Sequence, residues 1–292
     1  MVNILNRLTR ISVGLLLVGY SQLLFAQAPL PPDANDPAPA ADTEIDAKYI
    51  YATVLGSGIY SVRDERVVVL NIPVSIDLTE WEGTEPNWRL LLPMQIGYKS
   101  MGDDLVSEWL PREFATFSFL PGIEYVYPVS ETFRLRPFMN AGVGYDFGTD
   151  DVVRFWQVGL KVQNEWQPNE DWEIRSAQEF VYAHENQESD GGSSSLSMIQ
   201  LGFDFRRDLG FELWDRDVGL STYVMWQYFP NQLVFTNDYR NGINVDNLYQ
   251  LGLTFGVEEP WEIFGAEFDR VYLGITRGSG VKAFTFGIDL PF

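Results

Sequence analysis

The stretch from Val281 to Phe292, V-K-A-F-T-F-G-I-D-L-P-F, constrains the chain more than any other. Phe284, Phe286, Ile288, Leu290 and Phe292 fall on every second position. A strand running to the last residue therefore sets one wholly apolar face against a second face of Thr285, Gly287 and Asp289. Water offers no use for such a face at a chain end. A bilayer does, because a closed antiparallel barrel turns an apolar surface to lipid while pairing all of its backbone.

The same alternation recurs upstream. From Lys48 onward it marks twelve segments, at about 48–62, 67–79, 88–99, 114–127, 133–147, 153–166, 172–184, 195–206, 217–229, 245–257, 267–277 and 281–292. Their lengths suit tilted barrel strands. Val68, Leu70, Ile72, Val74, Ile76 and Leu78 share one face of the second. Leu135, Pro137, Met139, Ala141 and Val143 oppose Arg134, Arg136, Asn140 and Gly142 in the fifth. The expectation is an all-β chain, a twelve-stranded antiparallel transmembrane β-barrel over 48–292. Periodicity alone also fits a soluble β-sandwich. The seventh segment departs from the pattern, since Ser176 and Gln178 share a face with Phe180 and Tyr182. A bulge that resets the face explains this, as does a second protomer covering a polar spot.

An even strand count places both chain ends on one side, and alternating strand directions then sort the aromatics into two belts. Trp88, Tyr125, Tyr127, Phe133, Trp166, Trp172 and Phe205 gather at the end shared with the termini. Tyr98, Tyr145, Phe147, Trp156, Tyr182, Trp226 and Tyr228 gather at the other. Short connections at 130–132 and 167–171 fall at the first end, and long ones at 100–113, 185–194 and 230–244 fall at the second. Outer-membrane barrels have short periplasmic turns and long outer loops, so both termini are expected in the periplasm.

Residues 1–28 carry Arg7 and Arg10, an apolar run from Ile11 to Val18, and an A-x-A site at Ala26 and Ala28. That is a secretory signal, cleaved after Ala28. The Pro-, Ala- and Asp-rich tract 29–47 has no hydrophobic period and reads as a disordered periplasmic leader. A formal net charge of −21 leaves no basic footprint for nucleic acid. With no cysteine, the chain has no disulfide framework and no thiol chemistry.

Catalytic and metal motifs are sparse, so no cofactor, no metal and no enzymatic activity are expected. The lone histidine lies in Tyr182-Ala-His184-Glu-Asn186-Gln-Glu-Ser189. This run resembles the His-x-Ser-Asn motif of outer-membrane phospholipase A and the lipid A deacylases, but Asn186 stands where the nucleophilic serine belongs. The loop Glu185 to Gly192 has oxygen ligands and glycines without the spacing of a calcium loop. Asp103, Asp104, Asp150 and Asp151 offer contacts for divalent cations on lipopolysaccharide. The most informative polar set faces the lumen: pairing strands across their turns puts Glu124 opposite Arg136, Arg134 opposite Glu165, Arg175 opposite Asp204 and Glu173 opposite Arg206. Such a belt either neutralises a narrow lumen or selects solutes.

The closing block contains Leu251-Gly-Leu-Thr-Phe-Gly256, Glu259-Pro-Trp261, Phe264-Gly265, Phe268-Asp-Arg270 and the final Phe286 to Phe292. It resembles the solitary outer-membrane autotransporter-like β-barrels. The alternating aromatics Phe284, Phe286, Ile288, Leu290 and Phe292 likewise resemble the C-terminal signature read by the outer-membrane assembly machinery. The resemblance implies twelve strands, an outer-membrane location in contact with lipid and lipopolysaccharide, and no passenger domain, since only residues 29–47 precede the first strand. A homo-oligomer is compatible with it. The functional expectation is a small pore or envelope barrel with a charge-lined lumen; the alternatives are a closed structural or interaction barrel and, behind it, a lipid-modifying hydrolase.

Overall fold

The computed structural model describes residues 53–292 apart from 63–64, 80–84, 102–115, 148–149, 170–171, 189–191, 213–215, 236–242, 264–265 and 279. The expected signal and leader, with Ala26 and Ala28, lie outside the described residues.

The strands are β1 (Gly58–Val62), β2 (Glu65–Ile72), β3 (Ser75–Asp77), β4 (Asn87–Leu91), β5 (Met94–Met101), β6 (Thr116–Phe119), β7 (Gly122–Ser130) and β8 (Phe133–Asp146). They continue with β9 (Asp151–Asn169), β10 (Trp172–Gln187), β11 (Ser193–Glu212), β12 (Asp217–Phe235), β13 (Ile243–Ile263), β14 (Ala266–Gly278) and β15 (Val281–Ile288). Three joints interrupt a single span at a proline: Pro73 between β2 and β3, Pro93 between β4 and β5, and Pro121 between β6 and β7. Proline has no N–H for a ladder bond. The sheet nonetheless bridges the breaks, with Leu92 N donating to Val74 O, Leu120 N to Pro93 O and Ala141 N to Pro121 O. Twelve antiparallel spans result, and pairing of β1 with β15 and of β8 with β9 closes them into a barrel.

The pleat sorts side chains as the alternation requires. Leu251, Leu253 and Phe255 on β13 and Val271, Leu273 and Ile275 on β14 are exposed on the outer surface. Aromatic residues pair at both ends of the barrel: Trp88 with Tyr125 at 4.7 Å near the short turns, and Trp156 with Tyr182 at 5.5 Å and Trp226 with Tyr228 at 6.0 Å near the long loops.

Four expectations are corrected. Among the described residues the first segment is a strand only from Gly58. Before it, Val54 and Leu55 are buried, and the Gln227 side chain donates to Val54 O, so the chain enters the lumen instead of extending the wall. The segments expected at 195–206 and 245–257 run further, β11 to Glu212 and β13 to Ile263. In β10 the register is unbroken from Ile174 to Gln187, so no bulge resets the face at Ser176; Gln178 Nε2 instead donates to Ser176 Oγ at 3.2 Å. Finally, β15 ends at Ile288, short of the last residue.

Candidate functional site

The lumen is divided along its length. At the long-loop end it is filled by an apolar cluster of Tyr60, Val69, Val181, Leu196, Met198, Phe229, Val245, Leu248 and Val281, with Val54 and Leu55 of the entering segment inside it. Leu120, turned inward at the Pro121 break, joins Val153 and Phe155 in a second cluster. Beneath this closure lie paired amides and hydroxyls, including Gln200 with Gln227 at 2.8 Å and Gln250 with Tyr223 at 2.6 Å. At the short-turn end the lumen opens into a cavity of about 550 Å3, lined among others by Arg89, Glu124, Arg134, Arg136, Lys161, Glu165, Arg175 and Arg270 and reaching the turn residue Thr132.

All eight residues of the expected belt face the lumen near the short turns, and on β7–β9 their register differs from the simple hairpin count. Glu124 stands opposite Phe138 and Arg134 opposite Gln163, each two residues from its expected partner. A shift of two keeps every side chain on its face, and long side chains reach the diagonal position. Arg136 thus still donates to Glu124 at 2.6 Å, and Arg134 to Glu165 at 3.2 Å. The β10–β11 ladder pairs Arg175 with Asp204 and Glu173 with Arg206 as expected. There the side chains choose other partners as well: Glu173 binds Arg175 on its own strand and lies 3.7 Å from Arg206, and Asp204 accepts from Arg270 of β14 at 3.3 Å.

The belt is larger than the sequence reading had it. Arg89 pairs with Asp77 at 2.8 Å and approaches Glu124 at 3.6 Å, and Lys161 lies 3.7 Å from Glu179. Arg89, Lys161, Glu179 and Arg270 all sit at inward positions of their strands. Parity alone nominates them, but adjacent hairpins say nothing of contacts across the lumen such as Arg270 with Asp204. Glu165 is shared by Arg134 and Arg175, the latter at 3.5 Å. Glu124 is likewise shared by Arg136 and Arg89, so at these two carboxylates removing one arginine leaves a second contact.

The terminal aromatics divide. Phe284 is exposed on the outer face, and Phe286 and Ile288 share its parity. Leu290 and Phe292 do not continue that face. Asp289 adopts φ 64°, its N–H donates to Arg270 O at 2.9 Å, and the tail turns inside. Phe292 is buried with Ala177, Tyr223, Met225 and Tyr272, with Leu290 packed against them. The left-handed turn at Asp289 is open to Asp and Asn more than to other non-glycine residues, and it sends the two last apolar side chains to the other side of the wall.

His184 lies near the long-loop end. Its Nδ1 is 2.8 Å from Ser195 Oγ, to which the Tyr182 hydroxyl donates at 3.1 Å. The sequence motif missed Ser195, which the β10–β11 register brings opposite His184. Trp156 is the other neighbour of the imidazole, and among the described residues no carboxylate or amide orients its second nitrogen as a hydrolytic triad requires. In the acidic loop, Glu185 is fully buried and Glu188 pairs with Arg154 at 2.5 Å; residues 189–191 lie outside the described residues.

No protein-family model matches the sequence, and no curated protein matches it. Among solved structures, the β domain of the Bordetella autotransporter BrkA is similar, with a TM-score of 0.48 and 12% identity over 81% of this chain and 96% of that one. The chain is a closed twelve-stranded antiparallel β-barrel.

Proposed function

We propose that the chain is an integral outer-membrane β-barrel that keeps a charged chamber open to the periplasm and closed to the outside, rather than a permanently conducting pore. One observation carries this reading: the lumen is apolar and filled around Val54 and Leu55 at one end, and charged and hollow around Glu124 and Arg136 at the other. A pore needs a continuous wet path, and twelve strands enclose a lumen narrow enough for side chains to block. Membrane placement is supported by the exposed apolar band that includes Leu253, Leu273 and Ile275 and by the aromatic pairs at its two edges. The N-terminal 28 residues supply the export signal in this reading, lipid and lipopolysaccharide surround the barrel, and the assembly machinery inserts it. We assign the barrel no reaction.

Conductance tests it. The refolded chain in planar bilayers should be silent, while Val54→Asp with Leu55→Asp, which puts two charges into the apolar closure, should open stepwise conductance. Steady conductance of the unaltered chain, unchanged in the double variant, would overturn the closed reading.

A further inference from the structure

The barrel wall is incomplete where its ends meet. β1 and β15 pair from Val62 with Val281 to Gly58 with Thr285, and one further bond, from Phe286 N to Ser57 O at 3.0 Å, ends the join. β15 continues to Ile288, bonded there to β14 alone, through Tyr272 with Gly287 and Val271 with Ile288. On the other side, β2 beyond Asn71 and β3 pair only along their far edge, with β5 and β4.

Ser57 marks the point of departure. Its hydroxyl donates to Asn71 O at 3.0 Å and accepts from Asn71 N at 2.8 Å, standing in for a ladder pair, and the chain before it turns into the lumen. Pro73 then has no N–H to offer, and Val74 N is turned to Ile72 O. Among the described residues, the stretch between Phe286–Ile288 and Ile72–Asp77 therefore carries no main-chain ladder.

The chamber lies directly behind this seam. Pro73, Val74 and Ser75 line it on one side, and Asp289, Leu290 and Phe292 on the other. Leu290 and Phe292 fill an apolar recess of Ala177, Tyr223, Met225 and Tyr272 beside the charged chamber. On the outer face beside the seam, Phe284 stands where β15 still pairs with β1, and Leu70 one residue past the last β1–β2 pair. A seam held by packing alone, with no ladder, thus lies between the outer surface and an apolar inner recess whose occupant is a four-residue tail.

We infer that the seam between β15 and β2–β3 is a lateral portal for the acyl chain of a surrounding membrane lipid, and that Asp289–Phe292 is the flap that fills the acyl recess when the portal is shut. An added β-strand would need a regular row of donors, which Pro73 and the turned Val74 N–H interrupt; an acyl chain needs none. The inference rests on the membrane placement proposed above.

The chain has no cysteine, which permits a direct test. The full chain is refolded into phosphatidylcholine vesicles containing a phosphatidylcholine with a maleimide at the end of one acyl chain, and adducts are read by mass spectrometry. Three single variants are compared: Phe284→Cys on the outer face, Leu290→Cys behind the seam, and Gln157→Cys in the chamber wall of β9. Adducts at Phe284→Cys and Leu290→Cys, with none at Gln157→Cys, are expected, and adding Phe292→Ala should increase the yield at Leu290→Cys. Labelling at Phe284→Cys without labelling at Leu290→Cys overturns the portal. Equal labelling at Gln157→Cys overturns it too, by showing entry that is not confined to the seam. No adduct at Phe284→Cys refutes the membrane placement itself.

Discussion

The ring of Phe292 rests on Gly202 of β11, so that a Cβ at position 202 would run into it, and it meets Tyr223 edge-on at 6.2 Å. The C-terminal aromatic is thus a core residue of the lumen and its seat is glycine. Phe292→Ala should destabilise the folded barrel by about 3–5 kcal/mol, the usual cost of emptying an aromatic site. Gly202→Ala should destabilise the unaltered barrel and be nearly neutral in the Phe292→Ala background, as measured by urea unfolding in vesicles. Additive effects of the two changes would place Phe292 away from Gly202.

Asp204 and Arg270 form the most deeply buried ion pair of the chamber, with side chains 0% and 3% exposed. Removing one partner leaves a buried charge, so Arg270→Met should cost about 3–5 kcal/mol, and adding Asp204→Asn should restore most of the loss. A single-variant loss below about 1 kcal/mol in the same unfolding measurement would mean that water reaches the pair.

The strands were legible because their signal is local: Leu251, Leu253 and Phe255 alternate with Gly252 and Thr254 whatever the rest of the chain does. The inward position of Arg134 or Glu165 follows from the same parity. Register was less legible, because it depends on turn geometry: the turn pairs Ser130 with Phe133, and the irregularity between Pro128 and Ser130 shifts the ladder by one, leaving Glu124 opposite Phe138, two places from Arg136. The path of the chain ends was not legible at all. Leu290 and Phe292 continue the apolar alternation, and only the backbone turn at Asp289 sends them inward. The inward course of Val54 and Leu55 likewise answers to an apolar recess built by strands far away in sequence.

The short turns and long loops give an orientation that intact cells can report. An epitope inserted at Gly191-Gly192 should bind antibody without permeabilisation, and one inserted within 167–171 only after it. The reverse pattern would invert the barrel and put the charged chamber on the outside.

Glu165 settles how tightly the charge belt is built. Its carboxylate lies 3.2 Å from Arg134 and 3.5 Å from Arg175, and all three side chains are a quarter to a third exposed. Water and a second guanidinium therefore remain when one is removed. Arg134→Ala should cost only about 0–1 kcal/mol, as for a hydrated pair, and Arg175→Ala, which also releases Glu173, somewhat more. The double variant should lose more than the sum of the singles, because only then does Glu165 face Glu173 with neither guanidinium left; Glu165→Gln added to it should recover part of the loss. The three unfolding free energies, measured together, make a cycle. A loss of several kcal/mol in Arg134→Ala alone would mean that Arg175 gives no support and that the belt is a set of isolated pairs. Strict additivity would mean that the two arginines do not share the carboxylate.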